Sequence, residues 1–250
     1  MFGAGSKIQR EGIHFYDPAG RRATKRPILR RWLQPAPVLR PTPHDRLRDQ
    51  LVLSASAASV IPNVGSDTEH DFHDAPALVN LDIFPHSNAD LRGDAHSLPV
   101  LSNVVDGVWL CALMEHVSDP FKVAREAYRV FRPGGFVLVS APFIQPLHGS
   151  PHDYFRYTPD GLRSVFAEFN ERLCGPTYTL PSGTLSQVFS AYIAIFFDSR
   201  RSSRAVRAAA GWLSYPLVLL DYLLRGKSER AVLAGRSYFW GEKTPKRAGQ

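Results

Sequence analysis

The fold is decided by residues 105–142, VDGVWLCALMEHVSDPFKVAREAYRVFRPGGFVLVSAP. Val105–Ala112 is apolar almost throughout, which is typical of a strand buried on both faces. Asp119-Pro120 predicts a helix start, with an N-cap and a proline at the first helical position. Arg132–Gly135 ends that helix, because proline cannot continue it and glycine permits the turn. Phe136–Ala141 is a second apolar run, so the stretch predicts a parallel strand–helix–strand unit with a right-handed crossover.

The helix of this unit is predicted to pack through one apolar face. Its apolar residues recur three or four positions apart, which places them on one side of a helix. They are Phe121, Ala124, Ala127, Tyr128 and Phe131.

Further elements are predicted around this unit, and they complete an α/β domain. The other predicted strands are Ser59–Val64, Ala77–Ile83, Asp90–Gly93, Leu173–Leu180 and a final edge strand at Ser237–Glu242. Thr158 is predicted to cap a helix that runs to about Phe169. Apolar segments at 185–197 and 212–224 predict a helical insertion, about residues 185–230, before the last strand. The expected fold is a doubly wound, mostly parallel, seven-stranded sheet.

The positive charge of the chain is concentrated at its N-terminus. Residues 1–50 contain eleven Lys and Arg against four Asp and Glu, which accounts for the whole formal net charge of +7. Four of residues 34–43 are proline, as in an extended linker. We therefore predict a basic, proline-rich arm at residues 1–50 and a folded domain at 51–250. The arm is either solvated or in contact with an anionic membrane or polyanionic substrate, and the neutral domain argues against nucleic acid as a partner.

Cysteine usage and hydropathy predict a cytoplasmic protein. Cys111 and Cys174 form no CxxC pair and no disulfide framework, which fits a reducing compartment. The N-terminus lacks the apolar segment of a secretory signal, and no stretch reaches the roughly 20 apolar residues of a spanning helix. Peripheral contact with a membrane stays open, because the apolar insertion could either cover the acceptor site or lie in the membrane plane beside its arginines.

Gly65 and Asp82 suggest a nucleoside-binding site at the ends of the first two predicted strands. A glycine lets the backbone approach a ligand, and an acid at the end of the next strand can accept hydrogen bonds from ribose hydroxyls. Their separation of 17 residues is near the usual spacing of about 20. A purely structural turn would look the same. A nicotinamide-dependent dehydrogenase is disfavoured, because the glycine-rich phosphate turn is missing.

Six motifs follow one another along the chain in a characteristic order. They are N-V-G-S at 63–66, L-D-I at 81–83, G-D-A-x-x-L-P at 93–99, E-H-V-x-D-P at 115–120, R-V-F-R-P-G-G at 129–135 and P-F at 142–143. The ordered set resembles the class I S-adenosylmethionine-dependent methyltransferases of the type-11, UbiE-like small-molecule family. A subgroup of that family also carries P-F-x-x-x-x-H-x-x-P-x-D-Y-x-R-Y-T, which matches residues 142–158 here.

This resemblance implies a Rossmann-like fold, a transferase activity and S-adenosylmethionine as cofactor. Gly65 would lie beside the methionine part of the cofactor, Asp82 would hold the ribose hydroxyls and Asp94 would accept from the adenine amino group. Glu115 would lie near the point of methyl transfer. The implied cofactor-binding residues are Asn63, Gly65, Ser66, Asp82, Ile83, Asp94, Ala95, Leu110 and Ala112.

The polar loop after the fifth predicted strand is expected to meet the acceptor. A hydroxyl or amine acceptor must lose a proton, and a histidine can take it. The catalytic candidates are therefore His148, His152 and Asp153, with His148 first. The substrate-binding candidates are His116, Tyr154 and Arg156, since an arginine could hold a carboxylate or phosphate.

A structural interpretation of the same loop stays open beside the catalytic one. Asp153, Arg156 and Tyr157 could form a hydrogen-bonded corner that orders the loop, and His116 could close it. The acidic and histidine-rich run Glu69–Asp74 has ligand types that suit zinc, but no second ligand set stands at a recognisable spacing, so we expect no metal.

The function predicted from the sequence is methyl transfer to a small-molecule, lipid-linked or glycan-linked acceptor, more at oxygen than at carbon or nitrogen. The alternative is a degenerate methyltransferase fold that serves as a membrane-peripheral scaffold or partner subunit. It is motivated by Pro62, which removes a hydrogen-bond donor from a central strand, and by Asp67, where the family usually has a second glycine. The sequence makes no prediction of the oligomeric state.

Overall fold

The structure is a computed structural model that describes residues 7–10, 13–16, 47, 55, 59–66, 77–84, 89–148, 152–177, 181–197 and, with short gaps, 205–244. The strands are β1 (Lys7–Arg10), β2 (Ile13–Tyr16), β3 (Ile61–Val64), β4 (Leu78–Asp82), β5 (Leu91–Arg92), β6 (Val105–Cys111), β7 (Phe131–Pro142), β8 (Asn170–Thr177) and β9 (Arg236–Glu242). The helices are α1 (Pro120–Val130), α2 (Pro159–Val165), α3 (Pro181–Ala194) and α4 (Leu217–Asp221), with a 3₁₀ helix at Ser228–Leu233.

Seven strands form one sheet in the order β5-β4-β3-β6-β7-β9-β8, and β1 pairs with β2 as a separate antiparallel hairpin. The five strands from β3 to β7 run parallel to one another in this sheet. β9 is antiparallel to both β7 and β8. The chain reaches one edge at β5 and returns to the middle at β6, so the strand order reverses between β3 and β6. Ligands of such sheets bind at the carboxyl ends of the strands beside this reversal. The predicted fold class is confirmed, including helices before the last strand.

The last strand differs from its prediction, because it is not an edge strand. β9 lies between β7 and β8, and its side chains Ser237, Tyr238 and Phe239 are buried. Because β9 pairs with β7 on one side and with β8 on the other, β8 is the edge strand of the sheet. The pairing of Asn170 with Glu242 also explains why β8 starts three residues before the predicted Leu173.

Helix α1 begins where the sequence predicts. The Asp119 carboxylate accepts a hydrogen bond from the Lys122 amide at 2.9 Å, so Asp119 caps the helix. The buried stripe, however, is Pro120, Val123, Ala124, Ala127 and Val130. The prediction that Phe121 lies on the buried apolar face is wrong, because its side chain is 47% exposed. The predicted stripe begins at Phe121, whereas the buried stripe begins at Pro120 and includes the β-branched Val123 and Val130.

The central strand β3 forms around Pro62. Its pairing with β6 begins only after the proline, with Asn63 opposite Trp109. Upstream of the proline, the Val60 amide donates to the Asp106 carboxylate at 2.8 Å, and the Asp106 amide donates to the Val60 carbonyl at 3.0 Å. The Asp106 side chain thus replaces the regular ladder beside the residue that has no N–H.

None of the described helices combines the length and apolar character needed to cross a bilayer.

Candidate active site

Gly65 follows β3 at the reversal of the strand order and has a backbone conformation that favours glycine. Its φ is +75°, and a Cβ atom at this position would lie 2.8 Å from Cδ1 of Leu113. Its amide donates to the Leu81 carbonyl at 2.8 Å, which holds the turn against β4. The result is a bare stretch of backbone at the carboxyl end of β3, the arrangement that a nucleoside-type ligand requires.

The neighbours of Gly65 are buried. The Asn63 side chain donates to the Asn80 side chain at 3.0 Å, so this amide pair joins β3 to β4 inside the sheet. Ser66 is 3% exposed, and its amide is directed at the Leu81 carbonyl at 3.3 Å. Both residues shape the turn through hydrogen bonds within the protein.

Asp82 ends β4 next to this turn. Its side chain is buried, and Oδ1 accepts a hydrogen bond from the Phe84 amide at 2.9 Å. The next residue, Ile83, is 57% exposed. A buried carboxylate beside an exposed aliphatic side chain suits a ribose with an adenine ring next to it, so these residues fit the cofactor that the sequence implies.

Asp94 and Ala95 lie in the turn after β5. The Asp94 carboxylate accepts from the His96 amide at 2.8 Å and faces the His96 ring Nδ1 at 2.8 Å, while Ala95 is buried. Burial alone would raise the pKa of the Asp94 carboxyl, but the His96 hydrogen bonds lower it below its ordinary value. Asp94 is therefore an ionised acceptor on this turn.

The end of β6 combines a core residue with a strained one. Leu110 is 1% exposed and belongs to the main hydrophobic core. Ala112 has a φ of +50°, which is uncommon for a residue with a Cβ, and its amide donates to the Ser140 carbonyl at 2.8 Å. Strain of this kind clusters at functional sites, where the surrounding structure holds it in place.

Glu115 is the most unusual side chain of this region. It is 1% exposed, and among the described residues neither carboxylate oxygen has a hydrogen-bond partner. Burial raises the pKa of its carboxyl, although nearby positive charge, including that of Arg236 on β9, opposes the shift. A buried carboxylate without a partner is costly, so its retention points to a group that it binds.

Two histidine rings face this carboxylate. Nε2 of His148 lies 3.7 Å from Glu115 Oε1, and Nε2 of His116 lies 3.9 Å from it. The Nδ1 atoms of both rings point at backbone carbonyls, that of Pro146 at 3.1 Å and that of His152 at 2.5 Å. We assign the ring protons to these Nδ1 atoms, which leaves both Nε2 atoms unprotonated and able to accept a proton from a group that lies between them and Glu115.

The three groups Glu115, His116 and His148 are called the Glu–His cluster below. Their ligand-type atoms lie within 4.8 Å of one another, and the separations from the carboxylate are too long for direct hydrogen bonds. A hydroxyl group, a water molecule or a cation could contact all three atoms at once. Of the sequence candidates, the structure brings His116 and His148 together here.

Asp153 and Arg156 form the hydrogen-bonded corner considered in the sequence analysis. Two nitrogens of the Arg156 guanidinium bond both oxygens of Asp153, and one of these contacts is 2.6 Å long. The guanidinium also donates to the carbonyls of Gln145, Pro146 and Phe155. The hydrogen bonds from Arg156 hold the pKa of the Asp153 carboxyl well below its ordinary value, against the effect of burial.

This corner positions His148. Asp153 Oδ2 accepts from the His148 amide at 2.9 Å, and Tyr157 donates from its hydroxyl to the Met114 carbonyl at 3.0 Å. The Tyr154 amide donates to the Glu115 carbonyl at 2.7 Å, which fixes the returning chain beside the carboxylate. These contacts favour a positioning role for Asp153 and Arg156.

His152 and Tyr154 lie on the open side of the same loop. Both side chains are exposed, and their ring centroids are 5.4 Å apart. They border the Glu–His cluster without joining it.

Sequence reasoning did not assign a role to Arg236. Its guanidinium lies 3.9 Å from Cys111 Sγ and acts electrostatically on Glu115. It arrives from the antiparallel last strand, about 120 positions away along the chain, and no local motif marks it. The Glu–His dipeptide after β6 was a visible signal for Glu115, whereas its burial was not.

The acidic and histidine-rich run Glu69–Asp74 lies outside the described residues, as does Asp67. The expectation that this run holds no metal therefore stays a prediction.

Comparisons with known proteins identify the domain. Residues 70–139 match a family model described as a methyltransferase domain. The demethylmenaquinone methyltransferase of Anoxybacillus flavithermus is 33% identical over 84 residues, which cover 32% of this chain and 35% of that protein. The matched segment, residues 70–139, is therefore a methyltransferase domain that resembles the class I S-adenosylmethionine-dependent methyltransferases of the type-11 family. Its cofactor is S-adenosylmethionine.

A second relative is the ubiquinone/menaquinone C-methyltransferase UbiE of Klebsiella pneumoniae, 37% identical over 60 residues, or 23% of this chain and 24% of that protein. The match spans about a third or less of the length of these curated methyltransferases. These relatives therefore show similarity within one part of the domain, whereas the reaction of the whole protein is a separate question.

Solved structures show the same fold. A methyltransferase of Haloferax volcanii, in complex with the Trm112 activator, has a TM-score of 0.50 and 15% identity and covers 81% of this chain and 90% of that one. A phosphoethanolamine N-methyltransferase of Haemonchus contortus, also at a TM-score of 0.50, is 12% identical and covers 78% of this chain and 51% of that one.

Proposed function

We propose that this methyltransferase transfers the methyl group of S-adenosylmethionine to an oxygen atom of its acceptor. The observation that carries the proposal is Glu115, whose buried carboxylate finds no hydrogen-bond partner in the described part of the chain and faces the Nε2 atoms of two histidines. The cluster lies between the ends of β6 and β7, beside the reversal of the strand order where this fold binds ligands.

The cofactor side of the proposal uses the residues that follow β3 and β4. When bound, the cofactor supplies a methyl group carried on a sulfonium centre. Gly65 offers bare backbone, Asp82 would accept from the ribose and Ile83 would cover one face of the adenine. Asn63 and Ser66 would shape the turn, and Leu110–Ala112 would border the cofactor from β6.

The acceptor side explains why we propose oxygen. A neutral hydroxyl must lose its proton as it attacks, and the Glu–His cluster provides an acceptor for that proton. The Pro146 carbonyl fixes the His148 ring so that Nε2 is available, and Glu115 would stabilise the imidazolium that forms. In an in-line displacement, most of the remaining rate enhancement comes from positioning the acceptor against the methyl group and from excluding water.

The other loop residues have supporting roles in this proposal. Asp153 and Arg156 hold the His148 amide and the loop carbonyls, so we propose them as positioning residues. His116 would bind the acceptor through Nε2. His152 and Tyr154 border the entrance, where their exposed rings could contact the body of the acceptor.

The acceptor is proposed to have an apolar part, as a lipid-linked or glycan–lipid molecule does. Leu147 is 82% exposed and Phe155 is 38% exposed on the same loop as His148. Exposed apolar groups that rim a polar cluster typically mark a ligand or interaction site. A smaller polar acceptor would leave this rim in water.

The scaffold hypothesis is less favoured. The family matches support an active domain, and β3 forms its pairings despite Pro62. A scaffold would also have no use for a buried carboxylate without a partner, because that group lowers stability.

Glu115→Gln tests the proposal. The neutral amide keeps the shape of the side chain but cannot stabilise an imidazolium, so methyl transfer should fall by about 100-fold or more. The assay uses methyl-labelled S-adenosylmethionine with a lipid extract and an aqueous extract of host cells. Cofactor affinity, measured by calorimetry, should change little.

Glu171→Gln is the matched control, because Glu171 forms an exposed ion pair with Arg163. It should leave methyl transfer unchanged. Equal incorporation of label by wild type and Glu115→Gln would contradict the role of the cluster.

A further inference from the structure

The helical insertion between β8 and β9 is packed with its polar residues inside. Along α3, Ser182, Thr184 and Ser190 are buried, whereas Val188 and Tyr192 are exposed. The exposed apolar positions recur at helical spacing and continue past the helix end to Ile195, which is 75% exposed. A helix that packs on the core of a water-soluble domain shows the opposite pattern.

The second part of the insertion repeats this inversion. Ser214 and Asp221 are buried, while Leu213 and Leu219 are 75% and 69% exposed. The exposed apolar side chains of both parts, represented by Val188, Tyr192, Ile195, Phe196, Leu213 and Leu219, are called the insertion face below. Exposed large apolar side chains in this number and continuity mark an interaction surface.

Hydrogen bonds join the two parts through their buried polar sides. The Ser182 hydroxyl donates to the Asp221 carboxylate, and the Ser182 amide donates to the same carboxylate at 3.3 Å. The Ser214 and Ser186 hydroxyls are 2.6 Å apart. Helices associate through small and polar residues of this kind where the surroundings are as apolar as leucine, which is the condition in lipid.

From this inversion we propose that the insertion face docks in the plane of an anionic membrane. The segment 181–197 contains no Asp, Glu, Lys or Arg, and the connector 199–211 contains four arginines and no acid. The one acid within the two helices is the buried Asp221, and Asp198 separates α3 from the arginines. Apolar helices joined by an arginine-rich connector complement lipid chains and anionic headgroups together. No described helix is long enough to span a bilayer, so the helices lie along the surface.

The inference rests on the packing of the insertion and not on methyl transfer. It commits to a lipid surface, because a protein partner would not require the arginine-rich connector beside a face free of charge.

Vesicle flotation of the full chain tests the proposal. The probes are phosphatidylcholine vesicles with and without phosphatidylglycerol. The wild type should bind the anionic vesicles, and Val188→Ser/Tyr192→Ser/Ile195→Ser should lose at least about tenfold in partitioning. Glutamine at Arg200, Arg201, Arg204 and Arg207 should weaken binding to anionic vesicles only.

The matched control is Leu101→Ser/Phe121→Ser, which removes two exposed apolar side chains elsewhere on the domain. It should bind vesicles like the wild type. Retained cofactor affinity in calorimetry shows that each variant is folded, so a failure here is separable from a failure of the proposed reaction.

Two results would overturn the proposal. One is unchanged vesicle binding by the triple serine variant, which would assign binding to the basic arm at residues 1–50. The other is a wild type that ignores vesicles but forms dimers that the triple variant abolishes, which would assign the face to a second copy of the chain.

Discussion

Helices α1 and α3 have opposite relations to solvent. α1 buries Val123, Ala127 and Val130 against the sheet and exposes Lys122 and Arg125. This is the ordinary arrangement of a helix that covers a parallel sheet, and it follows from the hydrophobic effect in water.

In α3, the buried side is small and polar, and the exposed side is apolar. Ser182, Thr184 and Ser190 are buried, whereas Val188 and Tyr192 are exposed. The difference teaches that the two helices suit different surroundings: α1 suits water, whereas the exposed side of α3 suits an apolar phase that the described residues do not provide, as the proposed membrane docking requires.

The same substitution at matched valines gives the largest expected contrast. Val123→Asp in α1 buries a charge in the core and should cost more than about 3 kcal/mol of unfolding free energy. Val188→Asp in α3 places the charge in solvent and should change stability by less than about 1 kcal/mol. Urea unfolding measures both. Equal losses of unfolding free energy would show that Val188 is buried like Val123, which would contradict the difference between the two helices.

The ion pair of Asp153 with Arg156 gives the next largest effect, and it has a pH signature. Asp153→Asn leaves the partly buried Arg156 guanidinium without its anion and should cost about 2–3 kcal/mol near neutral pH. The lowered pKa of Asp153 means that its stabilisation is present above the unfolded pKa near 4 and is lost as pH falls toward the folded value.

The wild type should therefore lose stability faster than Asp153→Asn as pH falls from about 5 to about 2, so the gap between them narrows. Urea unfolding across this range measures it. A gap that stays constant with pH would show that Asp153 does not carry this stabilisation.

A smaller effect is expected at the polar contact between α3 and α4. Ser182→Ala removes the hydroxyl that donates to the buried Asp221 and should cost about 1–2 kcal/mol. Ser118→Ala, at an exposed serine before α1, should be neutral within about 0.5 kcal/mol. If the two variants unfold alike, the buried polar side of α3 does not hold the insertion together.

The smallest effect is expected from metal removal. The proposed base mechanism needs no ion at the Glu–His cluster, so treatment with EDTA should leave methyl transfer within about twofold. A loss of activity that zinc restores would instead make Glu115, His116 and His148 metal ligands.

The central unit was predictable because its signals are local. The apolar run of β6, the Asp119 cap and a helix end close to Arg132–Gly135 each follow from a few adjacent residues, and the ordered motifs indicated the kind of domain. The helix ends at Val130, two residues before the predicted stop, because Phe131 already pairs with β6. The edge position of β8 was not predictable, because the pairing of β9 depends on strands far apart in the sequence. The buried face of α1 likewise depends on how the helix packs against the sheet, so the burial of Phe121 was wrongly predicted.

The candidate site was predictable in location but not in arrangement. The motif at 142–158 indicated His148, Asp153 and Arg156, but spacing alone left their roles open. The convergence of His148 on Glu115, and the approach of Arg236, require tertiary contacts between β6, β9 and the loop after β7. The exposure of the apolar side of α3 was not predictable either. A sequence segment without charged residues is equally compatible with a protein core and with a lipid surface.

Calorimetric titration of S-adenosylmethionine into the wild type and into Asp82→Ala tests the central claim most directly. The wild type should bind one equivalent with about micromolar affinity, and Asp82→Ala should bind about 10–100-fold more weakly, since a hydrogen bond to a charged group is lost. No binding to the wild type at millimolar ligand, or equal binding by both proteins, would contradict a cofactor site at the ends of β3 and β4.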